Sequence, residues 1–381
     1  MENEQEKLIL DAVDKFLDTA VKPHVQKLEH DDVYPAEIVE KMKELGLFGC
    51  LIGTEYGGLG LSASTYAKII ERISAVWMSV SGIINSHLIM SMTVQRSGTE
   101  EQKRYYLPKF ATGELRGGVG LTEPDCGTDL QAIRTVAKRE GDYYVVNGRK
   151  TWITNSMYGN TIALLVKTNP NTQPAHKGIS LLVAEKAPGF VVTRKLEKLG
   201  YRGIDTCELA FEDYKVPVGR LIGGVEGRGL QQILSGLELG RINVAARGVG
   251  VAQAALTESV NYSKVRKTFG KPICEHQAIQ LKLADMATRL EASRLLVQRA
   301  AEAYDRGERC DMEAGMAKLF ATETAAENSL EAMRIHGGYG YSVEYPIERL
   351  YRDAPLLLIG EGTNELQRII IARQLIGRSN Q

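Results

Sequence analysis

The sequence predicts a mainly helical α+β protein in three parts, helical, then β, then helical, and three observations carry that prediction. Apolar residues recur at helical spacing up to about residue 115. Between about Gly117 and Pro217 the period changes to short runs rich in β-branched residues, punctuated by Gly, Asn, Asp or Pro. Beyond Gly223 the chain returns to long, Ala-rich, sparsely interrupted helical segments. The expected domains are residues 1–115, 116–225 and 226–381.

In the first part, Leu8, Ile9, Val13, Phe16 and Leu17 mark one helix, and Ile38, Val39, Met42, Leu45 and Leu47 another after a break at Pro35. A Gly-rich loop, Gly53 to Ser62, precedes a helical run through Tyr66 to Ile73. The next helix opens with a cap at Thr99 and is expected to close at Pro108 and Gly113. The runs RTVAKRE, DYYVVNG, TIALLVKT, KGISLLVAE, GFVVTRK and CELAFED read as strands of a compact antiparallel β-domain, since no βαβ alternation appears. In the last part, Leu281, Leu283, Met286, Leu290, Leu295 and Leu296 share one broad face, as in a helix bundle. Gly248 and Gly250 would each cost about 1 kcal/mol relative to Ala inside a helix. Close helix approach is the expected compensation.

Composition excludes several classes of function. With 47 basic and 47 acidic residues in 381, no charge excess points to nucleic acid or an anionic membrane surface. Five scattered cysteines without a CxxC read as free thiols in a reducing compartment, and six histidines without an HxxxH spacing argue against a metal centre. The N-terminus is acidic and amphipathic, and no apolar run approaches the ~20 residues of a membrane span. The expectation is a soluble cytoplasmic protein.

Five stretches carry candidate chemistry. Near the C-terminus, LLLIGEGTNELQR delivers one carboxylate, Glu361, between Gly360 and Gly362, and then opens a helix. Neighbours without a Cβ let a flat ligand approach closely. The apolar run would raise the carboxyl pKa, whereas a capping box of Asn364 with Gln367 would stabilise the anion, so the net sign stays open. GVGLTEPDCGTD (118–129) leads from a strand into a loop of small residues with exposed amides, fit for a phosphate or a planar cofactor edge, or only a turn. KTWITN (150–155) places Trp152 and Thr154 on one side of a strand, an aromatic wall beside a hydroxyl, although a Trp in a sheet core has the same pattern. VRKTFGKPICEHQ (265–277) puts Arg266 beside Phe269 and ends in His276 and Gln277; Arg suits a pyrophosphate, and a solvated helix end needs no such role. RIHGGYGYSVEYPIERLYRD (334–353) holds GGYG after a helix and not a strand, so it is no dinucleotide fingerprint, and His336 reads as a helix cap.

The order and spacing of these five, over nearly the full length, resemble the acyl-CoA dehydrogenase family. The resemblance implies a helical domain, a central β-barrel-like domain and a C-terminal four-helix bundle, with FAD bound between them in a homotetramer. By position, Leu121, Thr122 and Thr128 fall on the flavin-holding loop, Trp152 and Thr154 on the contact to the isoalloxazine ring, and Thr363 on a further flavin contact. Arg266, Thr268, His276 and Gln277 match residues that reach FAD across a subunit boundary. Gly337 and Gly338 match an adenine-dinucleotide contact, as does Arg334, which stands where Gln is common. Glu238 and Arg241 match a helix pair that meets the acyl-CoA, with Thr128, Gly360 and Gly362 as further substrate contacts.

Glu361 falls on the family's catalytic base; relatives that carry the base on the helix near Arg241 have it where this chain has Gly240. The implied reaction is α,β-dehydrogenation of an acyl-CoA thioester, with electron-transfer flavoprotein as electron acceptor. Gly360 stands where many straight-chain members have Tyr, which implies room for a branched or cyclic acyl group. The glutaryl-specific Arg is absent, Met78 or Val80 standing in its place, which argues against a dicarboxylyl-CoA. The competing readings are a flavin oxidase or monooxygenase on the same fold and a non-catalytic scaffold.

Overall fold

The computed structural model describes residues 4–378. Helices α1 (Glu4–Phe16), α2 (Val25–His30) and α3 (Ala36–Glu44) pack against α4 (Ala63–Ser97), and α5 (Glu100–Thr112) closes the first part. Thr99 and Gln102 form the reciprocal cap that starts α5, as the sequence predicts. Pro108 lies inside that helix and does not end it; Gly113, at φ 74°, does.

The β-domain holds β1 (Gly117–Gly120), β2 (Val136–Glu140), β3 (Tyr143–Thr154), β4 (Thr161–Lys167), β5 (Ile179–Glu185), β6 (Phe190–Lys195) and β7 (Thr206–Pro217). They form one sheet in the order β1-β4-β2-β3-β7-β6, with β5 beside β4. Most pairings are antiparallel, but β4 runs parallel to both β1 and β2. The sequence suggests an antiparallel domain because those strands are separated by loops, not helices, and loop length alone does not fix direction. Strands β4 and β5 are buried almost throughout, as expected of strands covered on both faces. A register shift interrupts β3 and β7 between Lys150 and Ile153, and within it Trp152 adopts φ 62°.

The last part consists of α6 (Gly229–Val265), the hairpin β8 (Lys267–Thr268) and β9 (Lys271–Pro272), α7 (Gln277–Asp305), α8 (Asp311–His336), α9 (Ile347–Ile359) and α10 (Asn364–Arg378). Helix α6 is central, and its glycines mark where neighbours touch its backbone. A Cβ at Gly248 would stand 2.7 Å from the Ala321 carbonyl oxygen on α8, and one at Gly250 2.4 Å from that of Glu71 on α4. The expected compensation for these glycines is thus present. Helix α4 has the length and hydropathy to cross a membrane, but most of it is buried against α6, α1 and the β-domain.

One buried ion pair ties the 118–129 loop to the sheet. Lys150 Nζ donates to Glu123 Oε1 at 2.8 Å and to the Leu121 carbonyl oxygen at 3.0 Å. The Glu123 carboxylate also accepts from the amides of Arg134 and Thr135. Burial pushes the Glu123 carboxyl up, yet Lys150 and these donors outweigh it and hold it below its ordinary value. Substituting Lys150→Met should strand a buried carboxylate and cost about 3 kcal/mol, measurable as a lower midpoint in urea unfolding.

Candidate active site

Glu361 sits in the turn between α9 and α10, at φ 55°, followed by Gly362 at φ 90°. Helix α9 ends when Gly360 turns to an extended conformation, its N–H still donating to the Leu356 carbonyl. A left-handed conformation is unfavourable for Glu, so the turn must be held by its surroundings. Lys318, a buried residue of α8, supplies that hold. Its Nζ donates to the carbonyls of Leu358 (3.2 Å) and Gly362 (2.9 Å) and to Asn364 Oδ1 (2.7 Å). Burial lowers the Lys318 pKa to about 8 even though Glu361 pulls it upward.

The expected capping box at the start of α10 is not formed. Asn364 turns its side chain inward to Lys318, Thr322 and Glu323, while Thr363 Oγ1 accepts from the Leu366 amide and caps the helix instead. Thr363 therefore has a structural task at this turn.

The Glu361 carboxylate lies against α4 and α6. Oε1 accepts a short hydrogen bond from Asn85 Nδ2 of α4. Oε2 is buried with no hydrogen-bond partner. A Cβ at Gly240 would stand 2.1 Å from that Oε2, so the glycine on α6 makes the space the carboxylate occupies. Desolvation raises the Glu361 pKa above its ordinary value, opposed by Arg247, the Asn85 hydrogen bond, Lys318 and Arg241. The sign left open by the sequence is therefore upward. Orphaned, desolvated and surrounded by cations, Oε2 has the properties of a proton acceptor. The Glu361 backbone N–H donates to no other group among the described residues. It remains a free donor beside the carboxylate.

One helical position on from Gly240, Arg241 is buried, with Nη1 3.3 Å from Asp311 Oδ1 and Nε unpaired. Burial and the neighbouring Asp311 push the Glu238 carboxyl up. These two residues thus share one patch at the start of α8.

Leu121, Thr122, Trp152 and Thr154 come together where the 118–129 loop meets β3. The Thr151 amide donates to the Thr122 carbonyl at 2.9 Å. Trp152 is 59% exposed, although it sits in a register shift flanked by buried residues, and Thr154 is half-buried. Thr128 is exposed on the same loop. A second cluster forms at the β8–β9 hairpin. His276 Nε2 lies 3.0 Å from Thr268 Oγ1, and the Arg266 guanidinium lies 6.0 Å from the Tyr339 ring centroid, which links the hairpin to Gly337 and Gly338. Arg266, Gln277, Arg334 and both glycines are exposed, and a Cβ on either glycine would meet open space. Phe269 at the hairpin tip is 98% exposed. Among the described residues no hydrogen bond joins this second cluster to Glu361 or Trp152.

Sequence reasoning missed Asn85, Lys318, Arg247 and Tyr201. Each of the first three is a polar residue inside an otherwise apolar or Ala-rich helical run, and that isolation was the available signal.

Models of the acyl-CoA dehydrogenase N-terminal, middle and C-terminal domains match residues 3–114, 118–214 and 227–376. The chain is 42% identical to an acyl-CoA dehydrogenase of Bacillus subtilis (strain 168) over 95% of each chain. It is 38% identical to the (2S)-methylsuccinyl-CoA dehydrogenase of Cereibacter sphaeroides, over 98% of this chain and 70% of that one. The solved butyryl-CoA dehydrogenase of Megasphaera elsdenii superposes with a TM-score of 0.96 at 34% identity, covering 99% of both chains.

Because a Cβ at residue 240 would overlap Glu361 Oε2, Gly240→Ala should displace the carboxylate while preserving the fold. The expected outcome is a drop of at least about tenfold in turnover of any substrate that depends on Glu361, with urea stability changed by less than about 1 kcal/mol.

Proposed function

The chain belongs to the acyl-CoA dehydrogenase family, an FAD-dependent group of oxidoreductases acting on acyl-CoA, and from that premise we propose that Glu361 is its catalytic base. The observation that carries this reading is the orphaned Oε2 lodged against Gly240. Bound FAD supplies the acceptor for the β-hydride at its flavin N5. The residues fit such a cofactor: an exposed Trp152 beside Thr154, a small-residue loop with an exposed Thr128, and an exposed Arg266 near two open glycines. Trp152, Thr154, Leu121, Thr122 and Thr128 would hold the flavin end. Arg266, Thr268, His276, Gln277, Arg334, Gly337 and Gly338 would hold the dinucleotide of a neighbouring subunit in a homotetramer.

Glu361 Oε2 takes the α-proton of the thioester. Its raised pKa strengthens the anion as a base, while Asn85 and the nearby cations keep a usable fraction ionised. The free Glu361 N–H donates to the thioester oxygen as negative charge develops there. Arg241 and Glu238 line the approach from α6, and Gly360 and Gly362 leave room beside the reacting carbons. Electrons would leave to an electron-transfer flavoprotein, the class of protein named for one solved neighbour that is 38% identical.

Relatives of comparable similarity act on different acyl groups, methylsuccinyl in one and butyryl in another, so identity alone does not select the substrate. Gly360 has φ −66° and ψ 148°, which any residue adopts, and a Cβ there would stand 3.2 Å from the Leu356 carbonyl. The Gly360→Tyr variant should therefore fold and shift preference toward unbranched acyl-CoAs; the same branched-to-straight ratio as wild type would count against a role for this position.

Anaerobic mixing of the purified flavoprotein with acyl-CoAs, followed by flavin bleaching, tests the base. Glu361→Gln should slow bleaching by about 10³-fold, and a wild-type rate in that variant would reject the assignment. The acid limb of kcat/KM should lie above the ordinary Glu pKa of about 4.3. Asn85→Ala removes a donor that favours the anion, so the limb should move to higher pH in that variant. A shift to lower pH would contradict the arrangement.

A further inference from the structure

Arg247 is a buried cation without an ion-pair partner among the described residues. It is 4% exposed, on the stretch of α6 that packs against α4. Its partners are neutral: Nε donates to Asn243 Oδ1 at 2.7 Å and Nη1 to the Tyr201 hydroxyl at 3.3 Å. A full positive charge held only by two neutral oxygens is a costly thing to bury.

Its placement relative to Glu361 gives the cost a purpose. Gly240, Asn243 and Arg247 follow the i, i+3, i+7 spacing of one helix face, and Gly240 is the residue against which Glu361 Oε2 rests. Two turns separate residues 240 and 247, about 10 Å along the axis. Side chains on a helix lean toward its N-terminus, so the guanidinium reaches back toward the carboxylate. The field agrees with the geometry, since Arg247 is the strongest of the charges that oppose the upward shift at Glu361.

The surroundings are built around this cation. Tyr201 is held at φ 56°, its amide fixed by the buried Asp353 at 2.6 Å. The Tyr201 hydroxyl reaches helix α4 only because residue 82 is glycine; a Cβ there would lie 1.5 Å from the hydroxyl oxygen. Asn243 is itself fixed by donating to the buried Tyr66 hydroxyl at 2.7 Å. A strained backbone and a glycine on a facing helix are both committed to presenting polar groups beyond the base.

We propose that Arg247, with Tyr201, receives a carboxylate at the far end of the acyl group, so that the substrate is the CoA thioester of a short dicarboxylic acid; this rests on Glu361 being the base. An acyl chain seated with its α-carbon at Oε2 and its thioester oxygen at the Glu361 N–H would run along the face of α6 that carries Gly240, Asn243 and Arg247. The reaction keeps its balance. The Cα–H and Cβ–H bonds break, the proton goes to Glu361, the hydride with its electron pair goes to FAD, a Cα=Cβ bond forms, and the distal carboxylate emerges unchanged. The cation whose absence at Met78 or Val80 argues against such a substrate is supplied from α6 instead.

The test compares succinyl-CoA and glutaryl-CoA with butyryl-CoA and isovaleryl-CoA on the holoenzyme. At least one dicarboxylyl thioester should exceed both monocarboxylyl ones in kcat/KM by tenfold or more, and Arg247→Gln should lower that ratio about 100-fold. Arg247→Lys, which keeps the charge without the fork, should restore part of it. Calorimetric titration of the same thioesters onto Glu361→Gln holoenzyme, with and without Arg247→Gln, reads the preference as binding, independent of turnover. A wild-type preference for butyryl-CoA or isovaleryl-CoA in both assays overturns the proposal. So does an Arg247→Gln enzyme whose acid limb moves upward equally for all four thioesters with no change in their ratio, because the arginine then serves only Glu361. If no thioester bleaches the flavin, the base reading fails, and the calorimetric ratio still decides the role of Arg247.

Discussion

The site depends on a steric allowance: helix α6 has no side chain at residue 240, and the Glu361 carboxylate fills the space. A methyl group at that point would lie well inside contact distance of Oε2. Because α6 also meets α4 and α8 through glycine, three helices converge close enough to strip water from one carboxylate. Desolvation then raises its pKa, and the same crowding brings Asn85, Lys318, Arg241 and Arg247 near enough to moderate the rise. Neither tendency is left to act alone.

The turn that carries Glu361 is the least favourable backbone in its neighbourhood, and it is maintained from outside. Lys318 spans the end of α9, the carbonyl after Glu361 and the first residue of α10 with a single ammonium group. Thr363 thereby takes over the cap that Asn364 would otherwise supply, while Asn364 accepts from the buried lysine. Lys150 does an analogous job for the 118–129 loop, with a carboxylate partner, Glu123, as well as the Leu121 carbonyl. Both lysines spend their charge on positioning backbone.

The three-part order of the fold was legible because it follows from hydrophobic period, and helix ends such as Thr99 and Gly113 follow from local chemistry. Glu361 was legible as a position, through the two glycines beside it and the family resemblance, but its electrostatics were not. The groups that set its pKa lie 276, 114 and 43 residues away at Asn85, Arg247 and Lys318, and only tertiary packing brings them together. The parallel pairings of β4 were hidden for a similar reason, since strand direction depends on where loops travel. The capping box failed where a buried lysine offered Asn364 better partners than the helix end did.

Helix α4 has a consequence outside the folded state. It is the longest apolar element of the first half, and the surfaces that cover much of it, α6 and α7, are encoded only after the whole β-domain. On a ribosome, therefore, α4 emerges with its greasy face uncovered and stays so while more than a hundred further residues are made, at about 5–20 residues per second. For several seconds the nascent chain carries a long apolar segment whose later partners have not yet been made. The order of the elements along the chain thus leaves α4 waiting for its cover, a kinetic feature that the stability of the finished fold does not reveal.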